Sequence, residues 1–477
     1  MAMPSASMVE VMHATNGLST DICSAKSSPA RSQQKEILLS QQAQRLLDLE
    51  ARYTVGGFTP LPGFFERGLG SILWASVKQD VDGKEYLDFI CMFSSINQGH
   101  CHPKIVAAVI EQVQKAYNIN TSTHNAKWPV FAEMMCKRFG YDQISAMVTG
   151  AEAVDLACKI ARRYAHEVKG VPSDRVLVLG VSGNYHGLSG GVWNLQDPSP
   201  ARTEYGLDSN QHMNCNPTTS KPLRYGHLSD MEECLQEHHG RVAAVIIESI
   251  RNTGNTYEEE VNYARGVYDL CKKYSILFIA DEVRMGSGKT GKFFSFNHLG
   301  DDCRPDMLVI GKSITGGAYP ASFVLSDKHI MAVLKPYESG STFAHTPLAI
   351  AAAEAAIRAI DEEDMIQRAQ DLGNKFKELT QHWKRHRHVG SVEVRGADFS
   401  VKINEDAAAS VTARRVGGLC LAKGLLLYAL EGRLRMSVSM VMTDAQLEKG
   451  VKIIEEALDE VSGYKGVIPG EVWHGAH

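Results

Sequence analysis

The stretch Ile276-Leu-Phe-Ile-Ala-Asp281-Glu282 is a short apolar run that ends in two acidic residues. Further along the chain, Met307-Leu-Val-Ile-Gly311-Lys312 has the same pattern, with a lysine where the first run has its acidic pair. Apolar runs of this length are typical of strands buried on both faces. A charged residue at the end of such a strand needs a partner, because burying an unpaired charge costs several kcal/mol. The two runs therefore predict a buried sheet with charged groups at one edge.

Similar runs on both sides extend this pattern. We predict strands at Arg175–Val181, Val242–Ile247, Ile276–Ala280, Met307–Ile310 and Ser322–Leu325, with helices such as Val154–Val168 and Tyr263–Lys273 between them. Buried strands that alternate with crossover helices predict an α/β fold with a mostly parallel sheet. A long helix at about Pro347–Asp361 then leads to strands at Phe399–Ile403, Leu425–Leu430 and Arg433–Ser439 and to a closing helix. This last part predicts a smaller α+β domain.

The same patterns predict the domain organisation. Residues 1–34 are rich in Ser, Ala and Met without periodicity, which predicts a disordered tail. An N-terminal segment over 35–80 follows, with a helix at about Gln34–Ala51 and the start of a hairpin around Asp82-Gly83. We predict a large domain over 81–346 and a small C-terminal domain over 347–477 that packs with the N-terminal segment.

Composition excludes several classes of protein. The chain has 477 residues, 44% of them hydrophobic, and a net charge of −5, so it lacks the basic surplus of a nucleic-acid binder. No apolar run reaches the roughly 18–20 residues that span a bilayer. Ten cysteines are scattered without a C-x-x-C pair, which predicts reduced thiols, no zinc site and a cytoplasmic location. Glu10 and Asp21 precede the first basic residue, which argues against a mitochondrial presequence.

One motif suggests a nucleotide-binding protein instead. Gly286-Ser-Gly288-Lys289-Thr290-Gly291 satisfies G-x-G-x-x-G and ends like a phosphate-binding P-loop. A P-loop needs glycine where this chain has Val283, and its metal-binding strand follows the loop, whereas here the acidic strand precedes it. We therefore interpret the glycines as a turn-rich loop.

Two loops are candidates for ligand contacts. Thr149-Gly150-Ala151 precedes the predicted helix at Val154, and backbone N–H groups at a helix N-terminus suit a phosphate. Tyr185-His186 follows a strand, so the aromatic ring is expected in the crevice where α/β folds bind ligands. Taken alone, each feature is more often an ordinary helix cap or a core aromatic than a ligand contact.

Asp281 and Lys312 complete a chemical set. A carboxylate at the end of a buried strand suits a pyridinium N–H, although a structural salt bridge also fits, and a desolvated lysine suits a Schiff-base nucleophile. The order of phosphate loop, aromatic ring, carboxylate and lysine matches what pyridoxal phosphate requires. The sequence therefore predicts this cofactor.

The sequence resembles the class III, fold type I, pyridoxal-phosphate-dependent aminotransferases, with ornithine aminotransferases the most similar, from about Tyr53 to about Leu458. The specific motifs are Asn97-Gln98-Gly99-His100-Cys101-His102-Pro103-Lys104-Ile105, Leu277-Phe278-Ile279-Ala280-Asp281-Glu282, Gly311-Lys312 and Gly340-Ser341-Thr342-Phe343. The resemblance implies a homodimer with shared sites, a Schiff base on Lys312 and an Asp281 contact to the pyridine nitrogen. The cofactor-binding set that it implies is Thr149, Gly150, Ala151, Tyr185, His186, Glu248, Asp281, Arg284, Lys312, Ser341 and Thr342, with Thr342 reaching the phosphate of the partner subunit.

The residues expected at the substrate differ from the family pattern. Phe58 and Phe93 stand where two tyrosines are expected, and Leu188 stands where an arginine grips the carboxylate of ornithine. Thr253 replaces the glutamate that pairs with the arginine found here as Arg435. We therefore expect weak binding of ornithine in the usual pose, and an Arg435 that is open to a substrate carboxylate or that pairs with another acid.

Two further departures leave alternatives open. Arg284 replaces a glutamine that contacts the phenolic oxygen of the cofactor, so it either stabilises the phenolate or binds a second substrate carboxylate. His345 brings an imidazole near the site, either as a proton shuttle or in packing. Transamination of an amino acid is the expected activity. Decarboxylation, racemisation, elimination or C–C bond formation at the α-carbon, in specialised metabolism, is the alternative.

Overall fold

The computed structural model describes residues 39–55, 61–75, 84–119, 121–199, 202, 204–206, 213–464 and 466–471. Three sequence predictions lie outside these residues: the disordered tail over 1–34, the turn at Asp82-Gly83, and the substrate contact of Phe58. Within the described part, no helix has the length and apolar character needed to cross a membrane.

The described residues form strands and helices in alternation. The strands are β1 (Phe65–Leu69), β2 (Ile72–Ala75), β3 (Glu85–Asp88), β4 (Gln143–Met147), β5 (Leu177–Leu179), β6 (Val242–Ile247), β7 (Leu277–Asp281), β8 (Met307–Ile310), β9 (Ser322–Ser326), β10 (Val389–Arg395), β11 (Asp398–Ile403), β12 (Leu425–Leu426), β13 (Tyr428–Leu430) and β14 (Arg433–Ser437). The helices are Gln41–Tyr53, Pro103–Lys115, Lys127–Phe139, Gly150–Glu167, Leu228–His238, Tyr257–Lys273, Lys328–Met331, Pro347–Glu362, Met365–Leu379, Ala413–Ala422 and Asp444–Glu460.

Six strands form the large sheet, in the order β4-β9-β8-β7-β6-β5. Strands β5 to β8 are parallel, whereas β9 runs antiparallel to both β8 and β4. Consequently β4 points in the same direction as β5 to β8, and the carboxyl ends of five strands meet at one edge. The predicted α/β fold with a mostly parallel sheet is confirmed.

Alternating residues of the large sheet contribute to two cores. Phe278 and Leu308 belong to one core cluster, and their neighbours Ile279 and Val309 belong to another on the opposite face. Every residue of β6 is buried, as expected for a strand covered on both faces.

The predicted strand bounds agree best with the observed ones where every residue of the strand is buried. Val242–Ile247 and Met307–Ile310 have the predicted bounds. The strand β4 was not predicted, because its first three residues are exposed or half-buried and it carries no long apolar run. The helix expected from Tyr263 begins at Tyr257, because Thr256 and Glu259 form a capping box there.

A second sheet, β10-β11-β14-β13, is antiparallel and lies in the C-terminal part of the chain. Phe399 and Leu434 belong to its own core cluster, so the alternating residues Asp398, Ser400 and Arg435 lie on the other face. Strand β3 pairs antiparallel with β2 of the N-terminal segment and parallel with β12, so this sheet joins the N-terminal segment to the C-terminal part. The division into domains at residue 346 stays a prediction, since the described residues pack as one compact unit.

Candidate active site

The loop after β4 forms an open cradle of backbone N–H groups. Thr149 caps the helix Gly150–Glu167: its side chain accepts a hydrogen bond from the Glu152 N–H at 3.2 Å, and Glu152 accepts one from the Thr149 N–H at 2.8 Å. Within the described part of the chain, the N–H groups of Gly150 and Ala151 have no acceptor. They are the first two N–H groups of the helix, where its dipole favours an anion.

Two glycines keep this cradle accessible. A Cβ atom on Gly187, whose φ is +109°, would lie 2.5 Å from the Cβ of Ala151. A Cβ on Gly150 would lie 2.8 Å from the Val283 side chain. The cradle therefore has the donors and the space that a phosphate group requires.

Asp281, the last residue of β7, pairs with His186. The Nδ1 of His186 lies 2.7 Å from one carboxylate oxygen of Asp281, and both side chains are buried. The other oxygen accepts the Val283 N–H at 3.0 Å. A carboxylate offers about four acceptor positions, so Asp281 retains capacity for another donor such as a pyridinium N–H. The Nε2 of His186 is buried without a hydrogen-bond partner among the described residues.

Glu248 follows β6 and holds the loop that carries Tyr185. Its carboxylate accepts the Tyr185 N–H at 2.8 Å, and its own N–H donates to the Asn184 side chain at 3.1 Å. The Tyr185 side chain is 49% exposed, so the ring presents a face that a planar ligand can cover. Partial burial and the neighbouring Glu248 carboxylate raise the pKa of the Tyr185 phenol.

Lys312 lies two residues after the end of β8, at the start of a short 3₁₀ turn over Lys312–Thr315. Its φ is +48°, a left-handed conformation that is strained for a residue with a side chain. Burial, reinforced by the Arg284 charge, lowers the pKa of the Lys312 amine to about 8 from its ordinary 10.5, and the charges of Glu248 and Asp281 oppose this.

The predicted family motif Asn97-Gln98 holds this turn in place. The Asn97 amide donates to Ser313 Oγ at 2.8 Å, and the Gln98 amide donates to the Ser313 carbonyl at 3.0 Å. Both side chains are fully buried. The sequence marked these residues only as part of a family motif, and it gave no signal that they fix the backbone beside Lys312.

The two arginines expected near the substrate have different surroundings. Arg284 pairs with Asp398 of β11, with 2.7 Å between Nη2 and Oδ2. Arg435, in β14, is half-buried and forms no ion pair with a carboxylate of the described residues. Burial and the Arg284 charge lower the pKa of Arg435 to about 10, against the opposing charges of Asp398 and Glu248. Arg284 and Arg435 thus both lie close enough to Lys312 to act on its charge.

Glu282, beside Asp281, is a buried carboxylate that forms hydrogen bonds with Ser295 and Phe296. Its carboxylate accepts the N–H and the hydroxyl of Ser295 at 2.7 and 2.6 Å, and the Phe296 N–H at 2.9 Å. Burial raises the pKa of Glu282 to about 7. These bonds tie the loop after β7 to the residues that follow the glycine-rich motif.

Three other residues predicted to contact the substrate, Phe93, Leu188 and Thr253, lie in different loops and differ in exposure. Phe93 lies in a left-handed turn over Cys91–Ser94, and its ring packs edge-on against Tyr428 with 5.1 Å between centroids. Leu188 is 50% exposed and Thr253 is half-buried in the loop after β6. The predicted contacts of these residues with a substrate stay predictions.

The segment Ser341–His345 divides between the surface and an aromatic cluster. The His345 ring stacks on Trp128 with 5.2 Å between centroids, an arrangement that favours packing over proton shuttling. Thr342 and Phe343 are exposed in the single chain, whereas Ser341 is half-buried and its carbonyl accepts the Ala344 N–H at 3.0 Å. The structure therefore brings Thr149, Gly150, Ala151 and Asp281 to the sheet edge that carries Lys312, and it leaves Thr342 at the surface.

We predict that Gly187→Ala weakens the affinity for pyridoxal phosphate by at least about tenfold, because the new methyl group needs the space of Ala151 and the backbone needs a positive φ. Fluorescence titration of the apoprotein with the cofactor measures this change. Gly190→Ala is the matched control, since a Cβ there meets no atom within 4 Å. Equal affinities in the two variants would contradict the assigned cradle.

A second prediction concerns the charge of Lys312. In the apoprotein its amine should react with an acylating reagent with a midpoint near pH 8, because burial favours the neutral, nucleophilic form. Peptide mass spectrometry across a pH series measures this midpoint. Lys104 serves as the internal control: hydrogen bonds to Glu362 and Glu363 raise its pKa, so it should react only at higher pH. Coincident midpoints would show that Lys312 is not desolvated.

The comparisons with known proteins agree with this geometry. The family model described as "Aminotransferase class-III" matches residues 58–458. The chain is 35% identical to ornithine aminotransferase car2 of Schizosaccharomyces pombe over 420 residues, which cover 87% of this chain and 93% of that protein. It is 32% identical to the mitochondrial ornithine aminotransferase of Arabidopsis thaliana over 422 residues, which cover 87% and 85% of the two chains.

Solved structures show the same fold. The acetylornithine aminotransferase of Elizabethkingia anophelis superposes with a TM-score of 0.74 at 32% identity. The superposition covers 88% of this chain and 100% of that chain. The ornithine aminotransferase of Toxoplasma gondii gives a TM-score of 0.77 at 27% identity, over 89% and 96% of the chains. Another structure of the Toxoplasma gondii enzyme holds pyridoxal phosphate at partial occupancy in its active site. The match to residues 58–458, on a fold whose sheet edge fits that cofactor, shows that the chain belongs to the class III aminotransferases and is a pyridoxal-phosphate-dependent enzyme.

Proposed function

We propose that this enzyme transfers the α-amino group of an amino acid whose carboxylate binds Arg435. The observation that carries the proposal is the half-buried Arg435, which has no ion-pair partner among the described residues. Burial disfavours its charge and lowers its pKa to about 10. A buried cation without a partner is unfavourable, and a substrate carboxylate supplies the missing charge.

The residues at the predicted ornithine contacts support an α-amino acid over ornithine held for δ-transamination. Phe93 and Leu188 offer neither the hydroxyl nor the guanidinium that would grip the α-carboxylate end of ornithine. A hydrogen bond to a charged group contributes about 1.5–3 kcal/mol, so its loss disfavours that pose. Thr253 cannot neutralise Arg435 as a glutamate would, which leaves the arginine open to substrate.

We assign the cofactor contacts to the residues gathered at the sheet edge. The N–H groups of Gly150 and Ala151, next to the helix-capping residue Thr149, would hold the phosphate. Tyr185 would cover one face of the ring. Asp281, oriented by His186, would accept the pyridinium N–H and keep the ring nitrogen protonated. When bound, pyridoxal phosphate supplies an electron sink that stabilises negative charge on the substrate carbon.

Lys312 has the properties of the group that moves the proton at that carbon. With a pKa of about 8, its amine is neutral in a substantial fraction of molecules near neutral pH and can accept a proton. The turn held by Asn97 and Gln98 fixes the start of the side chain. Arg435 would meanwhile orient the substrate through its carboxylate, so that the α-carbon faces the lysine.

We also propose a homodimer. The exposed Thr342 and the exposed Phe343, 54% accessible in the single chain, support a surface that a second copy covers, with Thr342 reaching the phosphate of the partner subunit. The cytoplasmic location stays a prediction, because related ornithine aminotransferases include mitochondrial ones such as that of Arabidopsis thaliana.

A single-turnover assay tests the proposed reaction. The holoenzyme is mixed with a panel of L- and D-amino acids, ornithine and simple amines, without any keto acid, and the products are identified by mass spectrometry. We expect one α-keto acid per active site and no further turnover. Multiple turnovers that release carbon dioxide, the opposite enantiomer or an elimination product would replace transamination by another α-carbon reaction. Loss of the δ-amino group of ornithine would contradict the proposed substrate pose.

Substitution of Arg435 tests the carboxylate contact. Arg435→Gln should raise KM for the preferred amino acid by about 10- to 100-fold, because it removes a charge-assisted hydrogen bond of about 1.5–3 kcal/mol. The same variant should leave KM unchanged for the corresponding amine without a carboxylate. Arg433→Gln is the matched control on the same strand, since Arg433 donates to Ser400 Oγ at 3.1 Å. Equal effects on the amino acid and on the amine would place the carboxylate elsewhere.

A further inference from the structure

Asp398 is an acidic residue at the start of β11 whose side chain is 2% exposed. Its Oδ2 lies 2.7 Å from Nη2 of Arg284, and its Oδ1 accepts the Asn252 amide at 2.8 Å. The same amide nitrogen of Asn252 also donates to the Asp398 carbonyl at 2.9 Å. The carboxylate is thus held from two sides before any ligand binds.

The group that holds Asp398 is itself fixed. Asn252 has a φ of +56°, which asparagine tolerates better than most residues, and its N–H donates to Glu260 at 2.7 Å. Glu260 in turn accepts Arg395 Nε at 2.7 Å, a fully buried ion pair. Arg395 pairs in register with Asp398 across the β10–β11 hairpin. Asp398 is therefore the end of a rigid polar network.

The two terminal nitrogens of the Arg284 guanidinium both have partners within the protein. Besides the Asp398 contact, Nη1 lies 3.3 Å from the Arg251 carbonyl and 3.0 Å from the Met285 sulfur. Its charge, together with burial, lowers the pKa of the Lys312 amine, and Asp398 contacts Arg284 directly. The effect of Asp398 on Lys312 therefore passes through the position of Arg284.

We propose that Asp398 is a positioning residue that holds Arg284 beside Lys312 as a fixed, charge-balanced cation, so that Arg284 tunes the reactive amine and its cofactor instead of binding a substrate carboxylate. The proposal rests on the assignment of Lys312 as the residue that bonds the cofactor, but it does not depend on which amino acid is the substrate. It leaves Arg435 as the carboxylate-binding cation at the site.

The charged groups around the pair define what should change. Arg284, Glu248, Asp281 and Arg435 act on Lys312, and Asp398, Glu248 and Glu260 act on Arg284. Without its partner, a buried guanidinium is unfavourable and should leave its place. The Lys312 amine would remain buried but would lose the repulsion from Arg284, so its pKa would rise part of the way towards the ordinary value.

The test compares Asp398→Asn, Arg284→Gln and the double variant. We expect both single variants to shift the midpoint of Lys312 acylation in the apoprotein upward by about one pH unit, and the double variant to shift no further than Arg284→Gln. The pH at which the cofactor absorbance of the holoenzyme changes should move in the same direction. Neither readout uses a substrate, so an error in the proposed reaction would not affect them.

Two further variants keep the test decisive if Asp398→Asn folds poorly. Asn252→Gly suits the positive φ and removes both amide hydrogen bonds to Asp398, one of them to the carboxylate, but it keeps the Asp398 charge, so it should give a smaller shift in the same direction. Asp398→Glu retains the charge and should restore a midpoint close to that of the unmodified enzyme. An unchanged or lowered midpoint in Asp398→Asn, with a raised one in Arg284→Gln, would show that Arg284 keeps its position without Asp398 and would overturn the proposal.

Discussion

Parallel strands end at a common edge, and in this enzyme that edge carries the buried Glu248 and Asp281 and the half-buried Lys312. Water cannot compensate charges there, so each group must find its compensation inside the protein. The Asp281 carboxylate pairs with His186, and the Glu248 carboxylate accepts a hydrogen bond from the Tyr185 backbone N–H. Lys312 has no ion-pair partner among the described residues, and burial together with the Arg284 charge lowers its pKa to about 8. The lowered pKa of the lysine therefore follows from the position that the sheet topology gives it.

The same edge also requires an unusual backbone. The chain turns as soon as β8 has ended: Lys312 follows the strand after Gly311 alone and has a φ of +48°. The side-chain bonds of Asn97 and Gln98 to Ser313 hold that turn against its strain. The N-terminal motif thus acts on the chemistry through backbone geometry, more than 200 residues along the chain from its own position.

The sequence predicted the sheet better than the site around it. A strand such as Val242–Ile247, buried on both faces, must be apolar throughout and is visible from composition alone. The edge strand β4 is only partly buried and escaped prediction, although it positions Thr149. Asp281 and Lys312 were recognisable because each ends an apolar run. Asp398 was not, since its importance arises from an ion pair with Arg284, 114 positions away in the chain.

Arg284 and Arg435 show how the same side chain acquires different roles. The sequence left Arg284 with two possible tasks, and both arginines lie close to the Lys312 amine. Arg284 forms an ion pair with Asp398 of the C-terminal sheet. Arg435 lies on the same sheet, in β14, and forms no ion pair with an acidic residue among the described residues. A paired guanidinium has already exchanged its hydration for a fixed partner, and binding a second anion would require breaking that pair. An unpaired one gains most from an incoming carboxylate. In the proposed function, Asp398 on β11, and the lack of an ion-pair partner for Arg435 among the described residues, therefore decide which arginine binds the substrate.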